Sequence, residues 1–268
     1  MTGRLSRDLP ARQAFFPGAR PHARLSWSDA APRFESQGDR IVEVHVVPSL
    51  TVENYVKTIY QITAAQDGRP ATTGQIATAL EVSPGTVTSM LKTLDAARLA
   101  THKPYEGASL SRAGRSLALR MIRRHRLIEL FLLRTLDMSW DEVHDEAEHM
   151  EHAVSDLLVD RIDAFLGHPE FDPHGDPIPR PDGLSLEPPA EPAARALAAC
   201  GAGASFRLVR VLDQSSEFLR SLTDSGFSLG AAGVVEKNPA GAGLMRVRLD
   251  GRPLSLSLEA AGKLLVAE

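Results

Sequence analysis

The chain has almost no sulfur chemistry to offer: one cysteine, Cys200, in 268 residues. A single thiol excludes an internal disulfide framework and a multi-cysteine zinc site, and it fits a reducing compartment. Aromatics are scarce at 5%, so any core rests on Leu, Val, Ile and Ala. No apolar run approaches the roughly 18 residues that a membrane span needs. The arginine-bearing N-terminus lacks the continuous apolar stretch of a secretory signal. The expected setting is cytoplasmic, with no membrane partner. There is no His-Glu-x-x-His arrangement and no evident nucleophile with an oxyanion device. That argues against an enzyme, although a metallohydrolase with a helical His/Glu site is one alternative and a regulator binding a small organic ligand is another.

What is present is an uneven distribution of charge. The net value of −4 conceals it: residues 51–134 carry 12 Lys/Arg against 6 Asp/Glu, and residues 135–200 carry 3 against 16. A basic block followed by an acidic block suggests an anionic partner for the first and a cationic one for the second, unless both are solvated helix faces.

Residues 1–48 are rich in Arg, Pro, Ala and Ser without a sustained period, as expected of a disordered extension. A short β-like run at 41–47 is the exception. Helical spacing begins at Ser49, and the chain divides into a unit at 49–112, a helical unit at 113–168, a Pro/Gly-rich linker at 169–203 with a short helix at 192–199, and a small β-barrel at 204–268.

Residues 72–110 have the layout of a winged helix-turn-helix. Thr72–Leu80 supplies the first helix of the motif, Glu81-Val82 the turn, and Ser83–Leu94 the recognition helix, with a capping serine and Pro84 in its first turn. Residues 99–110 read as a two-stranded wing. The exposed turn offers Ser83, Pro84, Thr86, Thr88 and Ser89 to base edges, while Lys92 and Lys103 would hold phosphates. That turn has no Arg or Gln, so specificity is expected from thymine methyls and DNA shape. The alternative is a plain protein-interaction module.

The acidic block carries the second signal. A helix is expected from Ser139, with its Ser-x-x-Glu capping box, to about Phe165. On it His144, Glu148, Glu151 and His152 stand at i, i+4, i+7 and i+8, on one face. Val143, Ala147, Met150, Val154, Leu157 and Leu158 supply the apolar side. Like charges at such spacing repel, and a divalent cation removes the cost. The preceding helix, capped by Ser111, offers His125 and Glu129 as a further pair. Imidazole and oxygen donors without thiolate suit manganese or iron(II).

These stretches resemble the diphtheria toxin repressor and manganese transport regulator family. Glu-Asn-Tyr-Val-Lys-Thr-Ile-Tyr (53–60), the helix from Ser83, Arg-Arg-His-Arg-Leu-Ile-Glu (123–129), Val-His-Asp-Glu-Ala-Glu-His-Met-Glu-His (143–152) and Gly-Asp-Pro-Ile-Pro (175–179) carry the resemblance. It implies a mainly α fold with a winged helix-turn-helix, a helical metal-binding and dimerisation domain and an SH3-like barrel. It implies a homodimer that binds double-stranded operator DNA when metal-loaded and represses metal-uptake genes. It also implies two metal positions: a primary one at Asn54, Glu148, Glu151 and His152, and an ancillary one at His125, Glu129 and His144, with Gln214 and Glu217 reaching over from the barrel. Iron-type members place a cysteine where Glu148 stands, so manganese is favoured and iron(II) is the alternative. Manganese-type members are acidic where Asn54 and Lys57 stand. Asn54 can still ligate through its carbonyl oxygen; Lys57 cannot. Without metal the acidic cluster is expected to repel itself and leave the first helix free to shift.

Overall fold

A computed structural model describes residues 49–181, 194–236 and 243–267. The expected extension at 1–48, with its β-like run, lies outside the described residues. Ser49, Thr72, Ser83 and Ser111 each accept a backbone N–H in the first turn of a helix, as side-chain caps do. They open α1 (Leu50–Ala65), α2 (Thr73–Ala79), α3 (Pro84–Ala96) and α4 (Arg112–Leu136). At α2 the cap is reciprocal, because Gln75 returns a bond to the Thr72 N–H. Strands β1 (Ala100–Lys103) and β2 (Gly107–Leu110) pair antiparallel as the wing. Val56, Ile59, Ile76, Val87, Leu91, Leu94 and Leu117 close the core of this unit.

The 25-residue α4 belongs to two cores. Leu117 and Ala118 pack into the winged-helix core, while Leu127, Ile128, Leu130 and Leu132 pack roughly three to four turns further on against α5 (Val143–Met150) and α6 (Asp156–Phe165). The expected single helix from Ser139 to Phe165 is therefore two. Ser155 accepts the Leu158 N–H and starts α6, so Glu151 and His152 sit on the turn between the helices rather than on a continuous face. The periodicity persists through the break because both helices pack on α4.

The expected linker is also different. Residues 172–179 are buried, with Phe171 bridging to Pro177. Instead of a helix at 192–199, β3 (Arg195–Ala196) leads into a single 3-10 turn at Leu197–Ala199. The C-terminal domain then follows with β4 (Ser205–Val211), α7 (Ser216–Asp224), β5 (Ala232–Val235), β6 (Leu244–Leu249), β7 (Arg252–Ser257), α8 (Leu258–Gly262) and β8 (Leu264–Ala267). It is an SH3-like antiparallel sheet of order β3-β8-β4-β5-β6-β7. Alternating burial along β6 places Met245, Val247 and Leu249 in its core.

Several contacts fasten this domain to the helical one. Trp140, before α5, lies in the sheet's own core and donates Nε1–H to the Thr223 hydroxyl at 2.7 Å. Gly175, at φ +86°, abuts β4 so closely that a Cβ would lie 2.0 Å from the Val209 carbonyl oxygen. His174 accepts the Val211 N–H through its carbonyl at the same junction.

Candidate functional site

The recognition helix presents Ser83, Pro84, Thr86, Ser89 and Lys92 to solvent, with Thr88 half-buried. Three hydroxyls are already engaged: Ser83 Oγ caps the Thr86 N–H at 3.1 Å and pairs with Thr86 Oγ1 at 2.9 Å, and Thr88 Oγ1 donates to the Pro84 carbonyl at 2.9 Å. That leaves the methyl groups of Thr86 and Thr88 and the Ser89 hydroxyl as the more available readers. Lys103 pairs with Glu106 at 3.2 Å across the wing tip, where both are exposed. Tyr105, at the turn that the sequence places between the two wing strands, is fully exposed at φ 67° on that tip.

Beyond the wing, α4 and α5 bring His125, Glu129 and His144 together. His125 Nε2 lies 2.9 Å from Glu129 Oε1, His144 Nδ1 lies 3.1 Å from the same oxygen, and the two ring nitrogens are 3.2 Å apart. All three polar atoms converge on one point. Burial works against protonating His125, yet the Glu129 carboxylate and hydrogen bonds to Glu129 and Glu151 raise its pKa to about 9. Burial pushes Glu129 the other way, but His125, His144 and His174 hold it well below the usual carboxylate range.

The other Glu129 oxygen faces a group that the sequence reading missed. Glu129, Asp172 and His174 form a fully buried set of donors within 4.8 Å of one another. Glu129 Oε2 and His174 Nδ1 are 3.8 Å apart, and neither has a hydrogen-bond partner. The remaining His174 nitrogen, Nε2, is used by the Trp140 carbonyl at 2.9 Å. Asp172 Oδ1 accepts the His174 and Asp176 N–H groups, and Arg126 lies 3.3 Å from Oδ2. Even so, burial, Asp176 and Glu129 together raise the Asp172 pKa to about 8 against the opposing Arg126. The available signal was the alternation Asp172-Pro-His174-Gly-Asp176, but its surrounding prolines read as a linker.

On the face toward α1 the donors are taken. Lys57 Nζ lies 2.6 Å from Glu148 Oε1, 2.9 Å from both Glu151 oxygens and 3.4 Å from His125 Nδ1. His152 Nδ1 meets Glu53 at 2.7 Å, and its Nε2 lies 3.4 Å from Glu151. The Asn54 side-chain oxygen is buried without a partner. The expected self-repelling acidic cluster is thus corrected: an ammonium sits inside it, and α1 is held to α5 and to the turn after it.

Gln214 does reach over from the C-terminal domain, but its amide donates to Asp176 at 3.0 Å. Glu217 is exposed and belongs to none of the donor groups among the described residues. Cys200 is buried in the sheet's core, so no thiol joins these clusters.

The two positions differ in how they suit a divalent ion. Around Glu129, a buried oxygen and a buried nitrogen stand unpartnered and a carboxyl is short of positive charge; that donor set fits one. Around Glu148 and Glu151 the positive charge is already supplied by Lys57, and of the donors expected there only the buried Asn54 oxygen stands unpartnered.

Three family models divide the chain. "Iron dependent repressor, N-terminal DNA binding domain" matches residues 49–108, "Iron dependent repressor, metal binding and dimerisation domain" matches 111–180, and "FeoA domain" matches 195–268. The diphtheria toxin repressor of Corynebacterium glutamicum is 31% identical over 186 residues, 67% of this chain and 81% of that one. The iron-dependent repressor IdeR of Mycobacterium leprae is 30% identical over 199 residues, 71% of this chain and 86% of that one. Among solved structures, a manganese-dependent transcriptional repressor in complex with manganese is 38% identical, with a TM-score of 0.70 over 81% of this chain and 99% of that one. The manganese regulator SloR is 31% identical, with a TM-score of 0.63 over 81% and 98% of the two chains.

Proposed function

Because the chain belongs to the diphtheria toxin repressor family of metal-dependent transcriptional repressors, we propose that it is a manganese-responsive repressor that binds operator DNA as a homodimer and silences metal-uptake genes when manganese is plentiful. It is a DNA-binding regulator and not an enzyme. Its work is done in the cytoplasm, where its operator lies; among the described residues no helix is long and apolar enough to cross a membrane.

The observation that carries the metal-responsive reading is the donor set centred on Glu129. His125, Glu129, His144, Asp172 and His174 offer three imidazoles, two carboxylates and no thiolate. Hard and borderline donors of this kind select against thiophilic metals. When bound, the ion would supply the positive charge that these carboxylates lack.

The chain's own residues then do the coupling. Glu129 and His125 stand on α4, His144 on α5, and Asp172 and His174 on the segment that docks the C-terminal domain. Drawing the three segments to one point fixes the second half of α4 against its neighbours. The first half of α4 lies in the winged-helix core, so the recognition helix is aimed relative to the dimer. Affinity for operator rises by no more than the metal's preference for that arrangement. Leu157, Leu158 and Phe165 form an exposed apolar face on α6, and that face supports the homodimer.

Selection of duplexes from a random library by the full chain, with manganese(II) or with chelator, tests this reading. Enrichment of one palindromic sequence with manganese alone is the expected result; equal enrichment with chelator overturns it. Anaerobic titration of the selected duplex ranks the metals. Iron(II) acting at a lower free concentration than manganese would transfer the role to iron, which the relatives named for iron favour.

A further inference from the structure

We propose that Lys57 is a built-in cation that permanently fills the metal position on the α1 side, so that each subunit takes a single divalent ion, at Glu129. Three carboxylates and two imidazoles meet between α1 and α5: Glu53, Glu148, Glu151, His125 and His152. His125, Glu148 and Glu151 alone have the spacing to hold an ion. The ammonium of Lys57 stands at the centre of that trio, buried, donating to Glu148 and to both oxygens of Glu151, with His125 Nδ1 3.4 Å away. A buried ammonium needs as many acceptors as it has hydrogens, and these residues provide them. Glu151 is wholly buried, with both oxygens on Lys57 and one also on His125, so it has none left for a second cation.

Lys57 lies one turn after Glu53 on the same face of α1. Glu53 holds His152 while Lys57 holds Glu148 and Glu151. The pair therefore closes the seam between α1 and the α5–α6 turn from both sides. A tethered cation has a high effective concentration at its site, because its attachment removes the entropy of association. Manganese at micromolar levels would have to displace it, strip Glu53 from His152 and leave a buried ammonium without acceptors.

The inference rests on the proposed function only for the ion at Glu129. Manganese stoichiometry of the full chain, read by titration calorimetry and by metal analysis after dialysis, tests both. One manganese per subunit is expected for the native chain, two for Lys57→Gln, and one for Glu148→Gln, with Glu129→Gln removing the native equivalent. Glu148→Gln guards against a Lys57 variant that fails to fold, because Glu148 is part-exposed and its amide still accepts from Lys57. Two manganese ions in the native chain, one in Lys57→Gln, or the loss of an equivalent in Glu148→Gln would each overturn the role of Lys57. No manganese in the native chain but one in Lys57→Gln would uphold that role and overturn the manganese reading.

Discussion

Glu129 divides its two oxygens between neighbours: Oε1 meets His125 and His144, and Oε2 faces His174 across 3.8 Å with no hydrogen bond between them. Glu129→Gln keeps the shape and removes the charge. Manganese affinity should fall by more than the roughly 10–100-fold that outer-shell partners of a metal are worth, as calorimetry would show; an unchanged affinity would move the ion elsewhere. Asp172 tests the same cluster through pH. Its folded pKa is raised to about 8 from 3.8, so the folded protein keeps a proton that the unfolded chain gives up. The stability this contributes is complete below about pH 4 and is lost as pH rises toward 8. Asp172→Asn retains the carbonyl that accepts the His174 and Asp176 N–H groups and cannot ionise. In chelator, its melting temperature should decline less between pH 5 and 9 than that of the native protein, and parallel curves would count against the shift. At this scale the sequence was legible where ligands repeat on helices. Helical spacing pointed to His125, Glu129, His144, Glu148, Glu151 and His152. It could not show that a lysine one turn from Glu53 would enter the cluster, because reach and packing decide that. Nor could it show Asp172 and His174, which lie on a segment with no period at all.

Elements were legible through their caps. Ser49, Thr72, Ser83 and Ser111 announce α1 to α4, and the Tyr105-Glu106-Gly107 tip announces the wing. Ser155 announces α6 by the same rule. Its signal was hidden because the apolar period runs unbroken across the turn, both helices leaning on α4. The segment 172–179 was hidden for a different reason: its prolines and Gly175 describe a chain that cannot be helical, which is equally true of a linker and of a buried strap. Gly175 shows which it is. An alanine there must adopt φ +86° with its Cβ 2.0 Å from the Val209 carbonyl oxygen. The left-handed backbone alone costs about 1–2 kcal/mol, and the clash with β4 adds to it. Gly175→Ala should therefore lower the unfolding free energy read from urea denaturation by more than that cost and weaken manganese binding, since Asp172 and His174 lie just before it on the same strap. Gly201→Ala, which meets nothing within 4 Å, should leave both unchanged. A Gly175 variant as stable as the Gly201 one would mean that the strap yields freely.

Across the whole molecule, the charge partition is an organising feature: the basic block contains the winged helix and nearly all of α4, with His125 and Glu129, and the acidic block contains the donors that meet them, His144, Glu148, Glu151, Asp172 and His174. The sequence showed that division but misplaced Leu157 and Leu158, which were expected to face inward with Val143 and Ala147. The break before α6 turns them outward, and with Phe165 they leave an apolar face on solvent. Such a face is stabilised by a second copy, and a two-fold axis counts each residue twice. Burying one leucine contributes about 1.5–3 kcal/mol, so Leu157→Asp should remove at least about 3 kcal/mol from the proposed dimer, a rise in its dissociation constant of roughly 100-fold or more. In a lone subunit the change is nearly neutral, because Leu157 is 68% exposed there. Neither donor cluster includes α6, so manganese stoichiometry should stay as it is. Sedimentation should then show a folded, metal-binding monomer, and operator affinity should drop because one winged helix meets one half-site. A Leu157→Asp chain that still sediments as a dimer would place the interface on another surface.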